Sequence, residues 1–375
     1  MGAPRVLVAP DKFKGSLTAR AAARLIARGI GTVDNNRATT TACPVADGGE
    51  GTLDAVLNAG FRHVPVRASG PLGNPVDTGF AVRDSHAVVE LADICGWQRL
   101  PVTGPAPLLA SSYGVGEVMS AAFDHGCDRI TLAVGGSAST DGGAGMLQAL
   151  GARLLDSTGR ELSAGGGALT QLDDVDTGGL DPRISHVELA LATDVTNPLL
   201  GPSGAASVFG PQKGAGACEV ATLESGLARL AVLLGHESSA QQAGAGAAGG
   251  TGFGVLTALG ATRISGAAFV LDTVALADRL AECDVVIIGE GSLDEQSKHG
   301  KAPAAVAALG RERGIPVLAL AGRCSLDRDE LAAMGVTRSW SLTSLEPDVE
   351  RCVNDVEQLL PDLAANAYTH WQGRT

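Results

Sequence analysis

Three short segments set Asp, Glu, Lys and Gly directly behind an apolar run. Asp11-Lys12-Phe13-Lys14-Gly15-Ser16 follows Val6-Leu7-Val8-Ala9. Two ammonium groups and a Gly-Ser turn opening a helix would cradle phosphate, by charge and by helix N-terminal amides. The plainer reading is a solvated loop with Ser16 as a cap. Asp47-Gly48-Gly49-Glu50-Gly51-Thr52 follows a second strand-like run. A carboxylate on a glycine-flanked turn suits removal of a hydroxyl proton or binding of Mg²⁺, and bare amides suit a hydroxy-acid; Asp-Gly-Gly is also an ordinary turn. The third segment, Gly289-Glu290-Gly291-Ser292-Leu293-Asp294-Glu295-Gln296, leads to Gly300-Lys301. Its carboxylates suit a base or a metal and Lys301 suits phosphate, against the alternative of a solvated acidic loop.

The middle of the chain adds a run of small residues, Gly135-Gly136-Ser137-Ala138-Ser139-Thr140-Asp141-Gly142-Gly143-Ala144-Gly145. Successive amides and hydroxyls of this kind fit a polyphosphate or adenosine. Asp194 ends a strand and Lys213 lies in the Pro-containing turn Phe209–Gly214, which together read as one rim of a cleft. Other patterns fail. Gly244, Gly246 and Gly249 spell a dinucleotide fingerprint, but polar residues precede it where a strand is required. Lys301 is followed by Ala302, so the Walker pattern is absent, and the nucleophile elbow lacks its last glycine at Ser139. The seven His are dispersed without metal spacing.

Elements able to hold these segments can be read from periodicity. Strands are expected at Arg5–Ala9, Thr39–Cys43, Asp284–Ile288, Val317–Leu320 and Arg338–Leu342. Helices are expected over Thr18–Ile30, Thr52–Asn58, Pro303–Arg313 and Pro347–Tyr368, with Ser16 or Thr18 capping the first. Five strands separated by helices fit one doubly wound parallel sheet, which binds ligands at the carboxyl ends of its strands. Between roughly 65 and 270 the strand-like pieces Phe80–Val82, Ala87–Leu91, Arg129–Val134 and Val187–Ala192 are irregularly spaced, and Asp156–Ser185 has little periodicity. The expected fold class is therefore α/β with two α/β domains: one from residues 1–64 plus 271–375, and a mixed α/β domain, 65–270, inserted into it.

The 375 residues carry 41 Asp+Glu against 28 Lys+Arg, a net charge of −13, which argues against nucleic acid or an anionic membrane as partner. Gly is abundant at 51 residues but has no collagen period, so it marks turns and loops that can approach a ligand. The seven Cys form no CxxC pair, which speaks against a disulfide framework or zinc site. No signal-peptide pattern, myristoylation pattern or membrane-length apolar run occurs, so the expected address is the cytoplasm.

In order along the chain, APDKFKGSLTA (9–19), PVADGGEGT (44–52), GGSASTDGGAGMLQALGA (135–152), TDVTNPLLGPSGAASVFGPQKGA (193–215), GAGAAGGTGFG (244–254) and GEGSLDEQSKHGKAP (289–303) resemble the bacterial glycerate kinase family, of the glycerate 2-kinase type. The resemblance spans nearly the whole chain. It implies an ATP-dependent kinase acting on D-glycerate to give 2-phosphoglycerate. It also implies a flavodoxin-like domain from both termini, an inserted domain, and an active site in the cleft between them. On that reading Lys12 and Lys14 bind the glycerate carboxylate or the transferring phosphoryl, helped by Ser16, Gly48, Gly49 and Glu50. Asp47 is the candidate base, and Asp194 and Asp294 are candidates for Mg²⁺ or for the alternative base. Gly136, Ser137, Asp141, Gly142, Gly143, Lys213, Gly246 and Gly249 receive the nucleotide, while Glu290 and Lys301 complete the substrate set. A 3-phosphate product, a related hydroxy-acid substrate and a non-catalytic metabolite-binding protein are the alternatives; the assembly is a monomer or homodimer. The chain departs from the family's pattern at Ser139-Thr140, where Thr-Asn is usual, at Ser292, where Arg is usual, and at Ile94-Cys95-Gly96-Trp97, where Ala-Ser-Gly-Leu is usual.

Overall fold

The computed structural model describes residues 2–101, 104–298 and 301–373. Gly300 of the third segment lies outside them. The chain forms β1 (Arg5–Pro10), β2 (Thr39–Ala42), β3 (Arg62–Ser69), β4 (Pro75–Arg83), β5 (His86–Glu90), β6 (Arg129–Ala133) and β7 (Arg153–Asp156). It continues through β8 (Leu172–Asp176), β9 (Glu188–Ala192), β10 (Thr262–Ile264), β11 (Val285–Leu293), β12 (Val317–Cys324) and β13 (Arg338–Ser341). Two compact units result: residues 1–47, 54–59 and 267–375, and residues 48–53 and 60–266.

The first unit is one parallel sheet of order β13-β12-β11-β1-β2. Counted along the chain within this unit, that is the 2-1-3-4-5 order of flavodoxin-like folds, with its switch point between β1 and β11. Strand alternation sorts the apolar side chains onto two faces. Leu7, Val286, Ile288, Val317 and Ala319 pack with Val306 and Leu331 on one side. Val6, Val8, Val285, Ile287 and Leu318 pack with Ile26, Leu363 and Tyr368 on the other.

The second unit has a mixed sheet of order β10-β9-β6-β5-β4-β3, antiparallel at β3–β4–β5 and parallel from β5 to β10, plus a β7–β8 hairpin. Its apolar residues form a separate core around Phe80, Ile130, Leu132, Met146 and Phe253.

Several boundaries differ from those read in the sequence. The first helix runs Ala19–Asp34 and is capped by Thr18, whose hydroxyl accepts the Ala21 N–H. Ser16 lies before it, its hydroxyl donating to the Phe13 carbonyl in a tight turn, so it does not open the helix. Pro347–Tyr368 divides into helices Val349–Asn354 and Val356–Gln372. Asp284–Ile288 extends as β11 to Leu293, because β12 pairs with it through Cys324.

Candidate active site

Asp11 and Glu290 stand at the switch point of the first unit. Asp11 follows β1, with its N–H on the Gly289 carbonyl of β11 at 2.8 Å, and Glu290 is the next residue of β11. Both side chains are buried. The Lys12 ammonium lies 3.7 Å from Asp11 Oδ1, and the Lys12 N–H donates to the same oxygen. Lys301, the residue before helix Ala302–Glu312, brings its ammonium to 3.5 Å from Glu290 Oε2. The Ser297 hydroxyl reaches that oxygen at 3.1 Å, and Glu290 Oε1 is buried without a hydrogen-bond partner among the described residues.

Burial pushes the Asp11 carboxyl up to about 6; Lys12 and Lys301 oppose the shift and the charge of Asp47 adds to it. Burial likewise pushes Glu290 up to about 7, with Lys301 opposing and Asp11 adding. Asp11 and Glu290, with Lys12 and Lys301 beside them and the charge of Asp47 close by, are thus poised near neutral pH as acid–base chemistry requires. Asp47 is half-buried, while Lys14 is exposed. Asp294 is tied in through its neighbours: its N–H donates to Ser297 Oγ at 3.2 Å and its Oδ2 accepts the Ser292 hydroxyl at 2.9 Å.

The second unit gathers the other segments at the carboxyl ends of β5, β6 and β9. Glu90, closing β5, accepts the N–H groups of Gly51 and Leu53 at 3.1 and 2.7 Å and so fixes the 48–53 turn. Glu50 in that turn accepts from the Gln98 amide, and Gly48 offers its carbonyl to the Gly135 N–H at 3.3 Å. Behind β6, Lys213 is buried with its ammonium donating to the Ser137 hydroxyl at 2.7 Å and to the Ser139 carbonyl. Burial lowers the Lys213 ammonium to about 8, against the pull of Asp141.

Asp141 has a different surrounding. Its oxygens accept the N–H and hydroxyl of Ser112, both at 2.8 Å, and the N–H groups of Gly143 and Gly145 at 3.2 and 3.3 Å. Gly142 N–H goes to the Gly249 carbonyl and Gly246 N–H to the Asn197 carbonyl. Gly249 has φ +65°, and a Cβ there would lie 2.1 Å from the Ser139 carbonyl oxygen, so the two glycine loops interlock through bare backbone. The amides of Gly142, Gly143 and Gly246 thus shape the loop and are already bonded within the protein. Gly136 bonds through its carbonyl to the Trp97 N–H at 3.1 Å. Asp194, half-buried, lies two residues beyond the end of β9, after Thr193.

A glycerate kinase family model matches residues 6–372 of the chain. This chain belongs to the glycerate kinase family. A Bacillus subtilis (strain 168) relative named glycerate kinase is 41% identical over 373 residues, covering 96% of this chain and 97% of the relative. An Escherichia coli (strain K12) relative named glycerate 2-kinase is 39% identical over 350 residues, covering 91% of each. A solved structure from Salmonella typhimurium LT2, assigned as glycerate kinase 2, superposes with a TM-score of 0.80 at 35% identity, covering 100% of this chain and 99% of that one. Membership makes the chain a phosphotransferase, built as the family is from a parallel sheet of both termini and a mixed inserted sheet.

Where the chain departs from the family's pattern, the replacements have definite places. Ile94 and Cys95 are core residues, whereas the Trp97 indole is exposed. The Ser139 and Thr140 hydroxyls are buried without hydrogen-bond partners among the described residues. Among the described residues no helix is long and apolar enough to cross a membrane.

Asp11, Ser297 and Glu90 were given no role by motif. Asp11 carries a signal all the same, as the first polar residue after a buried strand and the opening residue of the first segment. Ser297 acts inside a polar turn, and nothing in its type or spacing marks it.

Proposed function

We propose that this chain transfers the γ-phosphoryl group of ATP to the 2-hydroxyl of D-glycerate. The observation that carries the reading is the group of Asp11, Asp47 and Glu290 with Lys12 and Lys301 at the switch point of a flavodoxin-like sheet. Phosphoryl transfer needs positioning and charge neutralisation more than covalent help from the protein. Two lysines supply the neutralisation, and Lys301 stands at a helix N-terminus, where anions are favoured. The E. coli relative's name supports the 2-position.

Asp47, less buried than Asp11 and Glu290, is the carboxylate open to a substrate hydroxyl and takes its proton. Asp11 sets the charge around it. Lys12, helped by Lys14 on the same turn, holds the anionic group of the substrate. In the second unit the 135–145 loop and Lys213 receive the nucleotide, with Asp141 holding the loop's shape.

The first unit's oxygens suit Mg²⁺: the Asp294 carboxylate, four residues along from Glu290, is held by the Ser292 hydroxyl, and one buried Glu290 oxygen has no hydrogen-bond partner among the described residues. Among the described residues no three His, Cys, Asp or Glu converge as a protein-only cage. That fits an ion whose usual shell is one or two carboxylates completed by phosphate oxygens and water. Bound there, Mg²⁺ would neutralise phosphate charge. Asp294 is its proposed ligand in this unit, and Asp194 is a separate candidate carboxylate in the second.

The test is ADP release from Mg-ATP with D-glycerate, L-glycerate or no acceptor, with the product identified by phosphorus NMR. Turnover to 2-phospho-D-glycerate is expected. A 3-phosphate would overturn the attacking hydroxyl, and no acceptor-dependent ADP with either acid would overturn the substrate.

A further inference from the structure

Beyond its apolar stretch β11 stays paired with β12, and the register sets Ser292 opposite Arg323. Because strand side chains alternate, Ile288, Glu290 and Ser292 leave one face of the sheet, and Ala319, Ala321 and Arg323 leave the same face from β12. Gly322 permits the pairing: a Cβ there would fall 2.4 Å from the Gly291 carbonyl oxygen. Arg323 Nε donates to Ser292 Oγ at 3.0 Å, and that hydroxyl donates to Asp294 Oδ2 at 2.9 Å.

The guanidinium is thus oriented through Nε beside the carboxylates of the site. Arg323 is exposed, and its two terminal nitrogens meet no hydrogen-bond partner among the described residues. An arginine held this way presents the planar fork that matches two oxygens of a carboxylate or phosphoryl group. At position 292 a short serine accepts a hydrogen bond from the neighbouring strand's guanidinium.

We infer that Arg323 is an oxyanion-binding residue of this kinase, delivering its guanidinium from β12 to the end of β11. The inference rests on the proposed function, but its test does not require turnover. Mg-ATP and D-glycerate are each titrated calorimetrically into the wild type, Arg323→Ser, Ser292→Arg and the exchanged double variant Ser292→Arg/Arg323→Ser. Unfolding midpoints are measured alongside.

Arg323→Ser is expected to weaken one of the two ligands by about tenfold or more with an unchanged unfolding midpoint, as loss of a charge-assisted fork would. The exchanged variant is expected to recover most of that affinity, which a merely structural arginine would not show. Wild-type affinity for both ligands in Arg323→Ser overturns the inference, as does an exchanged variant no better than the single one. If the wild type uses another acceptor, the proposed function falls. The Mg-ATP titrations then still decide whether Arg323 binds the phosphoryl oxyanion, and titrations of that acceptor decide for its anionic group.

Discussion

Asp141 and Glu290 are both buried carboxylates near strand ends, one in each unit, and their surroundings differ. Four donors from Ser112, Gly143 and Gly145 converge on Asp141. Glu290 has one hydroxyl and one lysine on Oε2, and its Oε1 has no hydrogen-bond partner among the described residues. Buried polar groups are ordinarily satisfied, and an unsatisfied one needs a reason. The saturated carboxylate holds a glycine loop in shape; the unsaturated one, pushed toward neutral pH, is kept ready for something that arrives. Two acids equally prominent in the sequence thus divide between architecture and chemistry according to how many donors the fold supplies.

The largest effect should come from within the first unit. Asp47→Asn is expected to lower kcat about 10²–10⁴-fold, as loss of a general base does, with the thermal midpoint unchanged. Steady-state kinetics beside a melting curve check it, and near-normal turnover would remove Asp47 as base. The opposite pattern is expected of Asp141→Ala. Several buried donors lose their acceptor, so stability falls by about 3 kcal/mol and the midpoint by roughly 10 °C. A variant that melts like the wild type but binds no nucleotide would move Asp141 from architecture to chemistry.

The next test uses pH. A carboxyl raised to about 7 in the folded chain from an ordinary 4.5 keeps its proton longer than in the unfolded chain. Its burden on stability is therefore absent below pH 4.5, grows as pH rises through the window to 7, and is complete above it. Glu290→Gln removes that burden and is expected to stabilise the protein by about 1–3 kcal/mol at pH 8, with the gain vanishing toward pH 4.5. Denaturant unfolding at several pH values measures it, and an equal effect at all pH values would refute the assignment.

A shift of similar size and opposite direction belongs to Lys213, lowered to about 8 from an ordinary 10.5. The folded state loses this proton first, so wild-type stability should rise between pH 8 and 10.5, by about 1–3 kcal/mol, relative to Lys213→Met. Parallel pH curves for the two proteins would show that the ammonium is not under such strain.

The sequence made some of this arrangement legible for physical reasons. Apolar runs such as Val6–Ala9 and Val285–Ile288, buried on both faces, read directly as parallel strands, and helix Thr52–Asn58 has the bounds its pattern predicts. β3 is hidden because Pro65 interrupts Arg62–Ser69, yet a proline is tolerated there since β3 is the sheet's edge. The tract Asp156–Ser185 holds β8 and two 3₁₀ turns, whose short segments have no room for a period.

At the site, residue types were legible and satisfaction was not. Asp141 and Glu290 differ by hydrogen bonds from Ser112 and Ser297; Ser112 lies outside the motif it serves, and Ser297 lies inside the 289–303 block without a type or spacing that marks it. Arg323 depends on strand register: parallel pairing brings it to Ser292 from a separate strand, and no spacing along the chain encodes that meeting.

The division of the first sheet between the two chain ends also governs how the molecule is made. β1 draws its hydrogen bonds from β2 and β11, and β11 is reached only after the whole second unit has been threaded. On the ribosome, residues 60–266 can condense while the apolar β1, paired only with the polar β2 and with its other edge unmatched, waits for the last third of the chain. Such waiting strands are vulnerable to mispairing with neighbouring nascent chains. Assembly of the carboxylate group is correspondingly a late event in biogenesis, since Asp11 and Glu290 become neighbours only when β11 docks.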